Sequence, residues 1–395
     1  MIAAHIVRDQ RFMAYDFGPG HPMHPIRLEL TYRLSDELGL LDHESVDLRE
    51  AQMADRAMLS RVHTDELIDM VQALSLEPSR ADGRCGIGTA DTPAFAGMHE
   101  ASALAVGATV GACRAVWQGQ AEHGVNIAGG LHHAMPGRVS GFCVYNDAAI
   151  GIHDMLAAGA QRVAYIDLDV HHGDGVEAAF WNDPRVMTVS LHQSGTSLFP
   201  GTGFPRDIGG PKALDSAVNV ALPPGTDDPG WLRAYQAVVP SVIKAFAPDI
   251  IVSQHGCDSH QTDPLAHLNL SIDGMHAAYE WVHQLAHDVS GGRWVALGGG
   301  GYELVHVVPR AWAHLIAIAS HRPVSLTEPT PQVWRDQVSE LCSVEAPATM
   351  GDRDGASINY GSWNDGYQPE DPLDAAIMAT RTAVFPGLGL DPYFD

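Results

Sequence analysis

From Tyr165 to Gly175 the chain reads Tyr-Ile-Asp-Leu-Asp-Val-His-His-Gly-Asp-Gly, so two carboxylates and an imidazole recur at every second position, Asp167, Asp169 and His171. The apolar stretch 163–168 predicts a strand, and side chains two apart on a strand leave on one face. Ionised carboxylates withdrawn from water cost several kcal/mol or more when nothing compensates them, so that face calls for a bound cation. The imidazole favours zinc or a similar transition ion. A third ligand stands at Asp258, just past a second apolar stretch, 249–253. Three protein ligands leave one coordination position open, as in catalytic rather than structural metal sites. The competing arrangement has Asp258 capping a turn and Asp169 in a buried salt bridge. It needs basic partners, which these motifs scarcely contain.

His132 and His133 are adjacent at the end of another apolar stretch. Asp167 and Asp174, not needed as metal ligands, can each accept a proton from one imidazole, fixing its tautomer and raising its basicity for acid/base chemistry. Tyr302 follows four glycines, Gly298 to Gly301. Such a run brings backbone close to a ligand, and the phenol can donate to a developing oxyanion. The run is not a phosphate loop, because no Lys-Ser/Thr follows it. Phe142, after Ser140-Gly141, and Phe199, before Pro200-Gly201-Thr202-Gly203, fit either the two walls of a narrow channel or ordinary core packing.

These residues must be positioned by alternating strands and helices. Strand patterns fall at 124–128, 162–168, 186–191, 249–253 and 293–297, and helical patterns at 101–118, 147–158, 231–246 and 272–289. The alternation predicts a single-domain, three-layer α/β/α fold with a mostly parallel central sheet, whose sites lie at the carboxyl edge of the strands. The first 90 residues show one amphipathic helix, from His21-Pro22-Met23-His24-Pro25-Ile26-Arg27 to about Leu38, and a long loop over 75–93. After Ser320 prolines multiply, with one helical pattern at 374–384; residues 321–395 read as an extension packed on the catalytic domain, 1–320.

The 395-residue chain holds 48 acidic against 23 basic residues, for a formal charge of −25. No basic cluster is available to contact phosphates, which argues against a nucleic-acid partner. The acidic balance serves solubility first, and it also tolerates basic substrates such as lysine-rich segments or polyamines. Five scattered cysteines without a CxxC pair suit a reducing compartment. The opening residues lack a signal-peptide core, and no apolar run reaches the length of a membrane helix. A cytoplasmic location with no membrane partner is expected.

In combination and order, the motifs resemble the zinc-dependent histone deacetylase family, which shares its fold with the arginases. The matching stretches are His132-His133-Ala134, Gly141-Phe142-Cys143-Val144-Tyr145-Asn146-Asp147, Tyr165 to Gly175, Phe199-Pro200-Gly201-Thr202-Gly203, Asp258 with Asp263-Pro264, and Gly298 to Tyr302. Within the family the chain is most similar to the bacterial acetoin-utilisation deacetylases, through the stretches from Gly20 to Arg27 and from Gln254 to Asp258 and through the ending Gly-Leu-Asp-Pro-Tyr-Phe-Asp395.

The resemblance implies hydrolysis of N-acetyl-lysine on proteins, releasing acetate and free lysine. It implies Zn²⁺, with Fe²⁺ as the alternative, on Asp169, His171 and Asp258; His133 paired with Asp174 as general base and then acid; His132 paired with Asp167 as electrostatic support; and Tyr302 as oxyanion donor. Gly141, Phe142 and Phe199 would line the substrate channel, Asp82 would grip substrate backbone at the rim, and Arg27 would sit by an internal acetate cavity. A structural K⁺ or Na⁺ is implied near Asp167, Asp169, His171, Ser190 and Leu191, and a second near Phe180, Asp183 and Val186. The implied partner is an acetylated protein, an acyl-CoA synthetase being one such target. An acetylpolyamine deacetylase would use the same site, although no inserted loop narrows its entrance. An arginase-like ureohydrolase needs a second Asp-x-Asp pair, whereas Ser259-His260 follow Asp258. A catalytically silent acetyl-lysine reader would lack Tyr302 or a metal ligand.

Overall fold

The computed structural model describes residues 2–395. Eight strands, β1 (Ala4–Val7), β2 (Val46–Arg49), β3 (His123–Asn126), β4 (Val163–Asp167), β5 (Val186–Gln193), β6 (Ala217–Leu222), β7 (Ile250–Gln254) and β8 (Trp294–Leu297), form one sheet in the order β2-β1-β3-β8-β7-β4-β5-β6. Every neighbouring pair is parallel. The central strands are buried along their whole length, and accordingly read as apolar runs rather than alternating ones.

The helices are α1 (Ile26–Glu37), α2 (Arg56–Leu59), α3 (Asp65–Leu76), α4 (Met98–Trp117), α5 (Asp147–Ala157), α6 (Asp174–Phe180), α7 (Asp228–Phe246), α8 (Ile272–Ser290), α9 (Val308–Ala319), α10 (Gln332–Cys342) and α11 (Pro372–Val384). From β3 to β6 the chain adds strands towards one edge; with β7 and β8 it returns. Right-handed crossovers therefore place α4, α5 and α6 on one face and α7 and α8 on the other. The reversal makes β4 and β7 neighbours, with α6 following one and α8 the other. Their connections part to opposite faces and leave a crevice at their carboxyl ends, where doubly wound sheets bind ligands.

β4 ends earlier than its apolar run suggests, and this corrects the one-face reading of Asp167, Asp169 and His171. Asp167 is the last strand residue, and the other two lie in the loop beyond it. The carboxylates themselves turn the chain: Asp167 Oδ1 accepts from the Asp169 N–H at 3.2 Å, and Asp169 Oδ1 from the His171 N–H at 2.9 Å. Two consecutive Asx-type bonds offer the backbone an alternative to the ladder.

Strands β1, β2 and β6 are absent from the sequence reading. β2 is a half-exposed edge strand carrying Asp47 and Arg49, charges that blunt an edge and mask its apolar pattern. The final 75 residues pack on this frame: α11 lies on β6 and α7, Arg233 Nε and Nη2 donate to the two Asp374 oxygens at 2.7 and 2.8 Å, and the buried Trp334 donates to Leu30 O at 3.0 Å. Among the described residues no helix is long and apolar enough to cross a membrane.

Candidate active site

The loops after β4 and β7 bring Asp169, His171 and Asp258 together, with one ligand atom of each within 4.8 Å of the others. His171 Nδ1 lies 3.1 Å from Asp169 Oδ1 and 3.0 Å from Asp258 Oδ2. The remaining carboxylate oxygens are held by donors from the protein. Asp169 Oδ2 accepts from Gln254 Nε2 at 2.7 Å and the Gly300 N–H at 2.8 Å, and Asp258 Oδ1 from the Val170 N–H at 2.9 Å. Each carboxylate thus has one oxygen oriented by the fold and the other turned towards His171 Nδ1, although Asp169 Oδ1 also accepts from the His171 N–H. Both are fully buried. Burial and the adjacent Asp169 charge push the Asp258 carboxyl up to about 6. A cation between the two carboxylates relieves this repulsion, so two aspartates and a histidine fit a divalent transition ion.

Glycine permits the close approach. A Cβ on Gly300 would lie 2.0 Å from Asp258 Oδ2, and one on Gly256 2.0 Å from Asp169 Oδ2. The run before Tyr302 is therefore a backbone wall against the carboxylates.

Beside this group stand the two histidines. His132 Nδ1–H donates to Asp167 Oδ2 at 2.8 Å and His133 Nδ1–H to Asp174 Oδ1 at 2.7 Å, an assignment that follows from the acceptor-only carboxylates. Asp167 Oδ2 also accepts from the Tyr165 phenol at 2.8 Å. The two Nε2 atoms are 3.0 Å apart, so before any proton transfer one carries a proton and the other does not. Burial opposes charge on His132, but Asp167 and Asp169 outweigh it and raise its pKa to about 9. Burial, reinforced by the His132 charge, lowers His133 to about 4 against the pull of Asp174. His132 is then the donor, and His133 is a neutral base. Asn146 anchors their loop: it caps α5 through the Ala149 N–H at 2.9 Å while its amide donates to the His132 and Ala134 carbonyls.

Tyr302 faces the same crevice, with its backbone N–H held by Asp263 Oδ2 at 2.9 Å. Burial raises its phenol well above the usual 10, so it stays protonated. Its ring meets Phe142 edge to face, centroids 5.6 Å apart. Phe199 is 43% exposed, too open for core packing, and stands edge-on to His133 at 5.0 Å. Gly141 has φ +52°, and a Cβ there would lie 2.3 Å from the His133 ring.

Arg27 is buried, donates to Gly299 O at 2.8 Å and Gly301 O at 3.2 Å, and lies over Trp312. A void of about 20 Å³ adjoins it, lined also by Tyr15, Met23 and Leu131. Ser190 pairs in register with Asp167, which places Leu191 beside the same strand end. Phe180, Asp183 and Val186 form the turn from α6 into β5, where the Phe180 and Asp183 carbonyls accept from the Asp183 and Val186 N–H groups. The carboxylate of Asp82 is taken by Arg84 at 2.9 Å in an exposed loop. Asp91, further along that loop, is the carboxylate that reaches the channel residues, accepting from the Gly141 N–H at 2.9 Å. Sequence reasoning missed Asp91 as a site residue, and also Gln254, for which the available signal was an amide directly after the apolar stretch 249–253.

A histone deacetylase domain model matches residues 21–319. The acetoin utilization protein AcuC of Bacillus subtilis (strain 168) is 40% identical over 343 residues, covering 86% of this chain and 88% of its own. Its counterpart in Staphylococcus aureus (strain MRSA252) is 32% identical over 375 residues, covering 90% and 96%. Among solved structures, an HDAC homolog complexed with SAHA superposes with a TM-score of 0.82 at 29% identity, covering 95% of this chain and 99% of that one. An HDAC homolog from Aquifex aeolicus gives 0.82 at 28% with the same coverage. With the family model spanning most of the chain and relatives aligned nearly end to end, the chain belongs to the histone deacetylase family.

Proposed function

We propose that the chain hydrolyses the acetamide of N-acetyl-lysine on proteins, releasing acetate and free lysine, in the service of acetoin or acetate metabolism. The observation that carries this reading is the convergence of Asp169, His171 and Asp258 with the His132–His133 pair and the Tyr302 phenol in one crevice. Asp169, His171 and Asp258 would hold Zn²⁺, or Fe²⁺ in its place. The ion supplies Lewis-acid polarisation of the amide carbonyl and a lowered pKa for the attacking water.

The protein's own groups do the rest. Phe142 and Phe199 flank the lysine methylenes, with Gly141 keeping backbone thin beside His133, and Asp91 or Asp82 at the rim holds the incoming chain. His133 Nε2, neutral near pH 7, takes the proton from water. The imidazolium so formed is stabilised by Asp174 and gives its proton to the departing lysine amine. His132 remains charged, paired with Asp167, and favours the anionic tetrahedral state. The Tyr302 phenol donates to the oxyanion as it develops. Arg27 borders the void through which acetate leaves. A K⁺ or Na⁺ near Asp167, Asp169, His171, Ser190 and Leu191 would stiffen the end of β4. The physiological partner in this reading is an acetylated protein, an acyl-CoA synthetase being one such target, in keeping with the metabolic role that the resemblance to the acetoin-utilisation branch suggests.

The test is hydrolysis by the purified chain of acetyl-lysine peptides and of acetylated putrescine and spermidine, with Zn²⁺ and with a chelator. Peptide hydrolysis that chelation abolishes is expected. A preference for the polyamines would replace the substrate class, and undiminished activity in Asp258→Asn would remove the metal assignment.

A further inference from the structure

At the amino end of the sheet, opposite the crevice, four histidines meet. His123 opens β3, His283 and His287 are one turn apart on α8, and His321 follows α9. One ring nitrogen of each lies within 4.8 Å of the others. We propose that these four imidazoles form a second, structural binding site for a divalent transition ion of the Zn²⁺ class, independent of the catalytic reading.

The arrangement is built as a ligand set. His123 Nδ1–H donates to Ala319 O at 2.6 Å, which leaves Nε2 as a bare lone pair. That nitrogen is buried and has no hydrogen-bond partner among the described residues. Its ring faces those of His283 and His321 at 4.9 Å and His287 at 5.4 Å. An orphaned buried acceptor is costly unless something occupies it.

The outer partners agree with this assignment. Glu122 stands behind two of the rings, its Oε2 3.0 Å from His321 Nε2 and its Oε1 3.6 Å from His287 Nδ1. The inward nitrogens are then Nε2 of His287 and Nδ1 of His321, with the carboxylate–histidine pattern of metal centres behind them. Gly292 makes room for that contact: a Cβ there would lie 2.7 Å from Glu122 Oε1. His283 Nε2 and His287 Nε2 are 3.0 Å apart. Zn–N bonds of about 2.0–2.1 Å at tetrahedral angles put ligand nitrogens roughly 3.3 Å apart, so a small ring adjustment suffices. An all-imidazole set selects a borderline ion such as Zn²⁺ over Mg²⁺ or Ca²⁺. Four protein ligands close the tetrahedron, hence a structural role, and the exposed His321 provides the way in.

The experiment is metal counting on the full chain, stripped by a chelator and dialysed against Zn²⁺ or Co²⁺. Wild type should retain two ions per chain. The double variant His283→Gln, His287→Gln should retain one, keep its peptide hydrolysis, and lose the visible absorption of tetrahedral all-nitrogen Co²⁺. Glu122→Gln and the exposed His321→Gln disturb folding least, and each should weaken one of the two ions about 10-fold or more while leaving the other unchanged. Stoichiometry and affinity that are the same in wild type and all of these variants would overturn the site, whatever the catalytic centre binds. Loss of an ion in Asp258→Asn with retention of the one sensitive to His283 would confirm that the two are separate.

Discussion

Replacing Asp174 by Asn removes one charge and almost no volume from behind His133. The carboxylate sits 2.7 Å from His133 Nδ1, and both groups are buried. Unit charges at that separation interact by roughly 6 kcal/mol at an effective dielectric constant of about 20, and only when His133 has taken up a proton. The amide dipole of Asn recovers part of this, and it can also present its NH₂ to Nδ1 and so stabilise the tautomer that lacks a free Nε2. The loss should therefore fall at about 3–5 kcal/mol, a decrease of about 10²–10⁴ in kcat, as for removal of a general base. KM should stay close to that of wild type, because the hydrogen bond of the Asp174 carboxylate is to His133 behind the site. Steady-state hydrolysis of an acetyl-lysine peptide, with metal content measured on the same sample, makes the comparison. A variant with its full metal complement and less than a tenfold loss in kcat would refute the assignment of His133 as base. A loss that merely follows loss of metal would show that Asp174 acts on the fold instead.

Tyr302→Phe keeps the ring against Phe142 and the backbone bond to Asp263, so kcat should fall about 10²–10³-fold with folding unchanged; wild-type turnover would remove the phenol from the mechanism. Gly141→Ala forces a side chain at φ +52° into the His133 ring and should reduce turnover at least tenfold while metal content stays constant, checked by kinetics and elemental analysis. Asp352 joins the C-terminal extension to α8 and α9: Arg310 Nη2 lies 2.8 Å away, His260 Nε2 2.9 Å, and the Ile272 N–H donates at 2.8 Å. Burial opposes its charge, but His260 and Arg310 prevail and hold the carboxyl well below its usual range. A depressed folded-state pKa contributes stability that is fully present above about pH 4 and lost as acid protonates the group. Asp352→Asn should therefore lower the melting temperature by about 2–5 °C at pH 7, and by progressively less towards pH 2; an equal decrease at both values would contradict the ion-pair account.

Much of the site is legible in the chain because its residues are chemically out of place. Asp167, Asp169 and Asp258 are carboxylates at the ends of apolar strands, and only a partner or an ion makes them tolerable there. What stays hidden is whatever depends on where loops fold. Asp82 and Asp91 both lie in one irregular loop, and nothing in the sequence tells which reaches Gly141. The four histidines at the far end of the sheet come from three separate elements, and only the i, i+4 pair His283 and His287 leaves a trace in sequence. Strands β1 and β2 are four residues long, and β2 is half exposed, so pairing with neighbours, rather than their own hydrophobicity, makes them strands.

The seam between β4 and β7 has a thermodynamic consequence. Its candidate ligands come from segments nearly 90 residues apart, brought side by side by the pairing of Val163 with Ile250 through Asp167 with Gln254 and by the Val170 N–H and Gln254 bonds across the seam. The unfolded chain has no such site, so ion affinity is linked to folding, and an ion at 100 times its dissociation constant stabilises the native state by about 2.7 kcal/mol. Two facing carboxylates beyond the central strands would thus make a metal bound between them a fastener for the fold. Substitutions that weaken the core should then appear first as a need for more metal, well before they appear as a loss of structure.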